Sequence, residues 1–408
     1  MLEDTKVRTR PSWLLLGPAF VAAIAYVDPG NVAANISAGA QFGFLLVWVI
    51  VVANAMAGLV QYLSAKLGLV TGRSLPEAVA DHTRTPSRIA YWVQAELVAM
   101  ATDLAEVVGG AIALYLLFDL PLLIGGVITG VVSLLLLAVQ NRRGQQMFER
   151  VISGLLLVIA IGFLTSLFVE TPPAAAVAEG LIPRFEGAES ILLATAMLGA
   201  TVMPHAVYLH SGLARDRHGH PDAGPRRRML LRVTRFDVGI AMVVAGAVNL
   251  SMLLVAATNL QGRDNTDSIE GAHAAVRDTL GPTVALLFAI GLLASGLAST
   301  SVGAYAGAMI MQGLLKRYYP LLLRRLVTLI PALVILAIGV DPSRALVLSQ
   351  VVLSFGIPFA LIPLVRLTSN KALMGADANH RVTTALGWAV AGLISVLNVV
   401  LIYLTVTG

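Results

Sequence analysis

The stretch AYVDPGN, residues 25–31, places a carboxylate and two helix breakers inside a run that is otherwise apolar from Trp13 onward. If that run crosses a membrane, an ionised aspartate near its middle costs at least ~2.5 kcal/mol. Pro29 lacks a backbone donor and disfavours helix at Asp28, and Gly30 permits an open backbone. Carbonyls freed at such depth are tolerated only where protein or a cavity satisfies them. Asp28, Asn31 and the carbonyl of Ala25 then make an oxygen-rich cluster suited to a cation. The simpler role is a cap, with Asp28 holding the start of the helix that resumes at Asn31. An uncharged serine or threonine would do that equally well.

A second interruption, GATVMPHAVYLHS, spans residues 199–211. Met203 and His205 flank Pro204, setting a thioether and an imidazole beside a break, and Ala200 offers its carbonyl. Alone, a methionine in an apolar run is packing; opposite Asp28 it becomes a candidate ligand. Oxygen donors suit Mg²⁺ or Ca²⁺, whereas a thioether adds nothing for those hard cations and favours transition metals. One methionine among aspartate, asparagine and carbonyls fits Mn²⁺ or Fe²⁺. His205 and His210 could each ligate metal, shuttle protons or form a neutral hydrogen-bonded pair.

In AELVAMATDLAEVVGG, residues 95–110, Glu96, Asp103 and Glu106 fall within an arc of roughly 80° on one helix. Acids that share a face in a membrane span take up and release protons, as relays do. They are also expected to pair with Arg324 or Arg325, and both roles are compatible. Those arginines could instead snorkel to an interface. Gln350, with Ser349 and Ser354, could reach a cavity or serve as polar glue between helices. Gly291, Gly296, Gly303 and Gly307 need no purpose beyond close helix packing.

These residues must be positioned by membrane helices. Of 408 residues, 57% are apolar and only 12% charged, which describes a polytopic helical membrane protein rather than a soluble one. Eleven spans are expected, at roughly 13–40, 44–69, 87–117, 121–140, 147–170, 188–213, 230–258, 282–313, 319–340, 343–367 and 384–406. The first is read as an uncleaved span, since ten further spans follow it. With the N-terminus cytoplasmic, 19 loop lysines and arginines fall inside and 4 outside, so the C-terminus lies outside. The run RDRHGHPDAGPRRR is accordingly a topology signal, and the net charge of +5 does not point to nucleic acid. With no cysteine, disulfides, thiolate metal sites and iron–sulfur clusters are excluded.

The two interrupted spans are the first and the sixth. Five spans apart, they sit in halves of opposite orientation, which is the pattern of a secondary transporter with its site at mid-membrane. DPGN in the first span, MPH in the sixth and the acidic third span between them resemble the Nramp family of divalent-metal transporters, over nearly the whole chain. That resemblance implies an all-α LeuT-type fold in one membrane domain: a first five-helix repeat over 1–171, an inverted second over 180–370 and an eleventh helix at 383–406. It implies proton-coupled uptake of Mn²⁺, with Fe²⁺ and other transition metals accepted as cargo, no resident cofactor, and a bacterial cell membrane location. By position, Asp28, Asn31, Met203 and the Ala25 and Ala200 carbonyls match the family's metal site, which Gln350 joins in some conformations. Asp103, Glu106, His205, Arg324 and Arg325 match its proton pathway; Glu96 and His210 are added here on their placement.

Other classes fit less well. A sodium-coupled amino-acid symporter of the same fold would place a substrate carboxylate where Asp28 already puts a negative charge. A channel would need a symmetric ring or filter. A metalloenzyme would need an activated water, and no HExxH motif occurs.

Overall fold

The computed structural model describes residues 17–143, 145–263, 268–317 and 321–407. The expected start of the first span at Trp13, and the basic residues Lys6, Arg8 and Arg10, lie outside the described residues.

The first span is two helices, α1 (Pro18–Ile24) and α2 (Pro29–Phe42), joined by a 3₁₀ turn at Ala25–Val27 and an extended Asp28. Span two is α3 (Val47–Thr71), followed by a short α4 (Leu75–Asp81). Spans three to five are α5 (Thr85–Phe118), α6 (Leu122–Arg143) and α7 (Gln145–Val169), after which α8 (Ala174–Glu179) caps the connection. The sixth span is again two helices, α9 (Gly187–Thr201) and α10 (Pro204–His218). Then come α11 (Pro225–Asn259), a surface helix α12 (Ile269–Leu280), α13 (Pro282–Leu315), α14 (Leu321–Ile338) and α15 (Pro342–Ser369). A single turn, α16 (Lys371–Met374), leads into α17 (Arg381–Thr407).

All eleven expected spans are therefore present. Among the described residues, eight segments are individually long and apolar enough to cross a membrane, counting Gly187–His218 across its break. The other three are the broken first span, α6 and α14. Interhelical connections that contained no hydrophobic run of membrane length hide α4, α8, α12 and α16, which the span pattern alone does not register.

Local chemistry explains the ends. Proline occupies the first position of α2, α10, α11, α13 and α15, where the missing N–H has no intrahelical partner to lose. Gly43 and Gly72 terminate α2 and α3 with φ of 56° and 68°, a conformation that a side chain would resist. Asp119 and Lys316 close α5 and α13 in the same left-handed region without being glycine.

The core is built by close approach of small residues, since lipid supplies no hydrophobic drive between helices. A Cβ on Gly39 of α2 would strike the Leu253 carbonyl of α11, and one on Gly68 of α3 the Ser211 carbonyl of α10. Gly109 of α5 lies against the Pro29 ring, which seats the acidic helix beside the first break.

Candidate metal-binding site

At each break one carbonyl has a proline where its helical donor would stand. In an α-helix the carbonyl of residue i accepts from the N–H of i+4. For Ala25 that residue is Pro29, and for Ala200 it is Pro204, neither of which has an N–H. Both alanines are fully buried.

The other carbonyls of the first break are held by neighbouring helices. Asn249 of α11 donates from Nδ2 to the Tyr26 carbonyl at 2.7 Å, and its Oδ1 accepts from Asn35 Nδ2 at 2.9 Å. Ser295 of α13 donates to the Val27 carbonyl at 2.5 Å. Asp28, wholly buried, accepts from the Asn31 N–H through Oδ1 at 2.7 Å, so it does cap α2. Its Oδ2 has no hydrogen-bond partner, and neither has Oδ1 or Nδ2 of Asn31. The cap thus uses one oxygen and leaves the other free for a cation.

Gln350 of α15 connects the two breaks. Its side chain packs where a Cβ on Gly30 would stand, while its carbonyl lies against Gly199, one residue before Ala200. Its Nε2 donates to Ser349 at 3.2 Å, and its Oε1 is buried without a donor. Ser354 faces elsewhere, bonding Asn398 of α17 at 2.6 Å, and so glues the eleventh helix to the tenth. Met203, buried and extended between α9 and α10, completes the second break, and α9 packs against the Ala25–Val27 turn. Oδ2 of Asp28, Oδ1 of Asn31 and Oε1 of Gln350 are three buried acceptors with no donor. Leaving such groups unsatisfied costs roughly 1–3 kcal/mol each, and a cation would remove that cost.

The acids of α5 form a second array, running from the level of the break toward the end of the molecule that carries the basic loops. Arg325 of α14, only 1% exposed, forms an ion pair with Asp103 and donates to Ser133 of α6 at 3.4 Å. Arg324 pairs with Glu96 at 3.1 Å. Neither arginine snorkels: both are buried, as the pairing role requires. Glu106 has no ion-pair partner among the described residues, and it follows Asp103 by three residues on the same face of α5. Both of its carboxyl oxygens, and Oδ2 of Asp103, lack a donor. The glycines of α13 do more than let helices touch. Gly303 leaves room for the Glu106 carboxyl, and Gly307 for the Arg324 guanidinium.

His205, on α10, faces this array, with Nδ1 3.3 Å from Thr102 Oγ1 and Nε2 unpartnered. His210 does not join it. Its Nδ1 lies 2.6 Å from Gln61 Oε1 of α3. Among the described residues no group of three or more His, Cys, Asp or Glu side chains could hold a metal, so any cation at the breaks depends on one carboxylate and on neutral donors.

The family profile described as natural resistance-associated macrophage protein-like, Nramp, matches residues 19–404. The chain belongs to the Nramp family. A protein of Mycobacterium tuberculosis named divalent metal cation transporter MntH is 72% identical over 408 residues, covering 100% of this chain and 95% of that protein. The crystal structure of an Eremococcus coleocola manganese transporter in complex with an aromatic bis-isothiourea substituted compound superposes with a TM-score of 0.83 at 32% identity, covering 98% of this chain and 88% of that one. Mhp1, a nucleobase-cation-symport-1 family transporter, shares the fold alone, with a TM-score of 0.60 at 16% identity over 95% of this chain and 90% of its own.

In this Nramp chain a cavity of about 550 Å³ opens at the end opposite the basic loops. Ser37 of α2, Leu193 of α9 and Val347 of α15 line it, each within two turns of Asn31, Ala200 and Gln350 respectively. It forms a vestibule over the site, closed from it by those turns.

Sequence reasoning passed over Asn35, Asn249, Ser295, Thr102 and Gln61. Each is a lone polar residue in an apolar span, a signal that marks a buried partner without naming it. Asn249 yields a test. Asn249→Ala removes the bonds to the Tyr26 carbonyl and Asn35, so stability should fall by about 1–3 kcal/mol. Thermal unfolding in detergent measures this, and an unchanged midpoint would show that the break holds itself.

Proposed function

We propose that this protein carries divalent transition-metal ions, Mn²⁺ foremost with Fe²⁺ and Cd²⁺ accepted, into the cytoplasm together with protons. It is a multi-pass membrane protein of a transporter family and not an enzyme. The observation that carries the reading is the pair of breaks linked by Gln350, with Oδ2 of Asp28, Oδ1 of Asn31 and Oε1 of Gln350 all buried without a donor. The Met203 thioether and the Ala25 and Ala200 carbonyls would complete a set of six. Six donors, one of them charged and one soft, suit a divalent transition ion better than Ca²⁺ or Mg²⁺. Relatives named as divalent metal cation and manganese transporters support the same cargo.

Alternating access follows from an inverted pair of five-helix repeats, 1–171 and 180–370, rocking about the site, with the helix at 383–406 appended outside them. The ion arrives through the vestibule and leaves toward the basic loops. Their excess of lysine and arginine sets the N-terminus in the cytoplasm and the C-terminus outside, in a bacterial inner membrane. The metal is cargo, and no resident cofactor is needed.

Proton movement would use Glu106, Asp103 and His205. A proton shared between the two carboxyls would bridge two of their three bare oxygens. Arg325 holds Asp103, while Arg324 with Glu96 continues the charged array inward. His210, paired with Gln61, would serve only as an offshoot of this path.

Proteoliposomes test the whole reading. Manganese uptake should rise with an inward-directed proton gradient, and an entrapped pH dye should report acidification that requires metal. Uptake indifferent to the gradient would remove the coupling, and absence of metal uptake would remove the cargo. Asp103→Asn should weaken the metal-driven acidification more than metal binding, because one member of the coupled pair is lost. Unaltered acidification would leave Asp103 with the structural role of anchoring Arg325.

A further inference from the structure

The stripe Arg228, Arg232, Arg235 runs along one face of α11 at the basic end of the molecule. A polar cavity of about 410 Å³ lies against it, lined also by Lys66 of α3 and by Asp377 and His380 from the segment preceding α17. The one carboxylate there is engaged, since Arg227 pairs with Asp377 at 3.2 Å. Lys66 donates to Asn379 at 2.9 Å. Arg235 lies 4.9 Å over the Tyr62 ring and donates to its hydroxyl at 3.3 Å, which fixes the guanidinium at the cavity wall. Arg228 and Arg232 have no carboxylate partner among the described residues. The cavity therefore carries a surplus of positive charge.

A second hollow, apolar and of about 550 Å³, shares Arg232 and Arg235 with the first and continues along the same helix. Phe236 and Val243, 64% and 69% exposed, form its walls, with Ile240 and Val244 beside them. Gly239 lies between, and a Cβ built there meets nothing within 4 Å. A cationic chamber thus opens at its rim into an apolar trough on a membrane-facing helix. A ligand that fits both parts has a negative head and a hydrocarbon tail.

We propose that this composite hollow binds one anionic phospholipid, its phosphate between Arg228, Arg232 and Arg235 and an acyl chain along Phe236, Gly239 and Val243. Charge complementarity selects the lipid class, since a zwitterionic head brings its own cation to a chamber already positive. The trough separates lipid from free phosphate, which would leave it empty. Lipid bound here also bridges α3, α11 and the approach to α17, three elements that no ion pair other than Arg227–Asp377 joins among the described residues.

Native mass spectrometry of the full chain in detergent, titrated with phosphatidylglycerol or phosphatidylcholine of matched chains, tests this. One phosphatidylglycerol should be retained, on the order of tenfold more tightly than phosphatidylcholine. The double variant Arg228→Gln, Arg232→Gln should lose roughly tenfold in phosphatidylglycerol affinity, with phosphatidylcholine unaffected. Gly239→Phe, which fills the trough and leaves every cation in place, should weaken retention of phosphatidylglycerol as well. Thermal unfolding of each variant without lipid confirms its fold. Equal retention of both lipids, or undiminished phosphatidylglycerol in Gly239→Phe, overturns the proposal. So does displacement of the lipid by equimolar inorganic phosphate, or a dimer of the chain in place of the lipid-bound monomer.

Discussion

Asp28→Ala is expected to abolish manganese binding and uptake. Asp28 is the one carboxylate at the double break, and its Oδ2 is the donorless oxygen there that carries charge. Removing one partner from a buried charge pair costs about 3–5 kcal/mol, which is at least hundredfold in affinity. The same side chain caps α2, so alanine also sacrifices about 1 kcal/mol of helix start. Asp28→Ser separates the two effects. It keeps an oxygen for the Asn31 N–H and discards the charge, so its metal-free thermal midpoint should not fall while binding is lost as in the alanine variant. Isothermal titration of Mn²⁺ into both variants is the measurement. Near-native affinity in either would place the cation elsewhere.

Met203→Ala should change which ions compete. A thioether contributes most to softer transition metals and nothing useful to Ca²⁺. Cd²⁺ affinity should drop by roughly tenfold or more and Mn²⁺ affinity by less, while Ca²⁺ competes better because water replaces sulfur. Met203 is fully buried, so truncation alone costs about 2–5 kcal/mol of packing. Met203→Leu controls for that, since a volume-conserving exchange costs less than about 1.5 kcal/mol and still deletes the sulfur. The two variants should share the selectivity change and differ in thermal stability. If leucine preserved the Cd²⁺ preference, or if alanine weakened every metal alike, the sulfur would be packing.

Some of this was legible from the chain alone. Eleven spans follow from the length of the apolar runs, because the hydrocarbon core requires about 20 helical residues whatever the partners. The positions of both breaks follow from Pro29 and Pro204, since a missing N–H and a steric clash act locally. Asp28, Asn31 and Met203 stood out because polar, charged or sulfur-bearing groups beside a break in an apolar run need a partner. The shared face of Glu96, Asp103 and Glu106 is helical arithmetic.

Pairing between spans was not legible. Arg324 and Arg325 are adjacent and could snorkel or pair; the packing of α14 on α5 sends one to Glu96 and the other to Asp103. His210 and His205 read alike in sequence, yet α3 meets the first with Gln61 while α5 meets the second with Thr102. Gly303 and Gly307 read as packing glycines, and only their neighbours show that they clear space for a carboxyl and a guanidinium. Gln350 reaches both breaks because Gly30 and Gly199 let α15 approach them, a three-body arrangement with no signature in any one segment. A proline acts on its own turn and an apolar run meets the same solvent everywhere, so these act before the chain folds. A hydrogen bond or ion pair between residues more than a hundred positions apart exists only once the helices have packed.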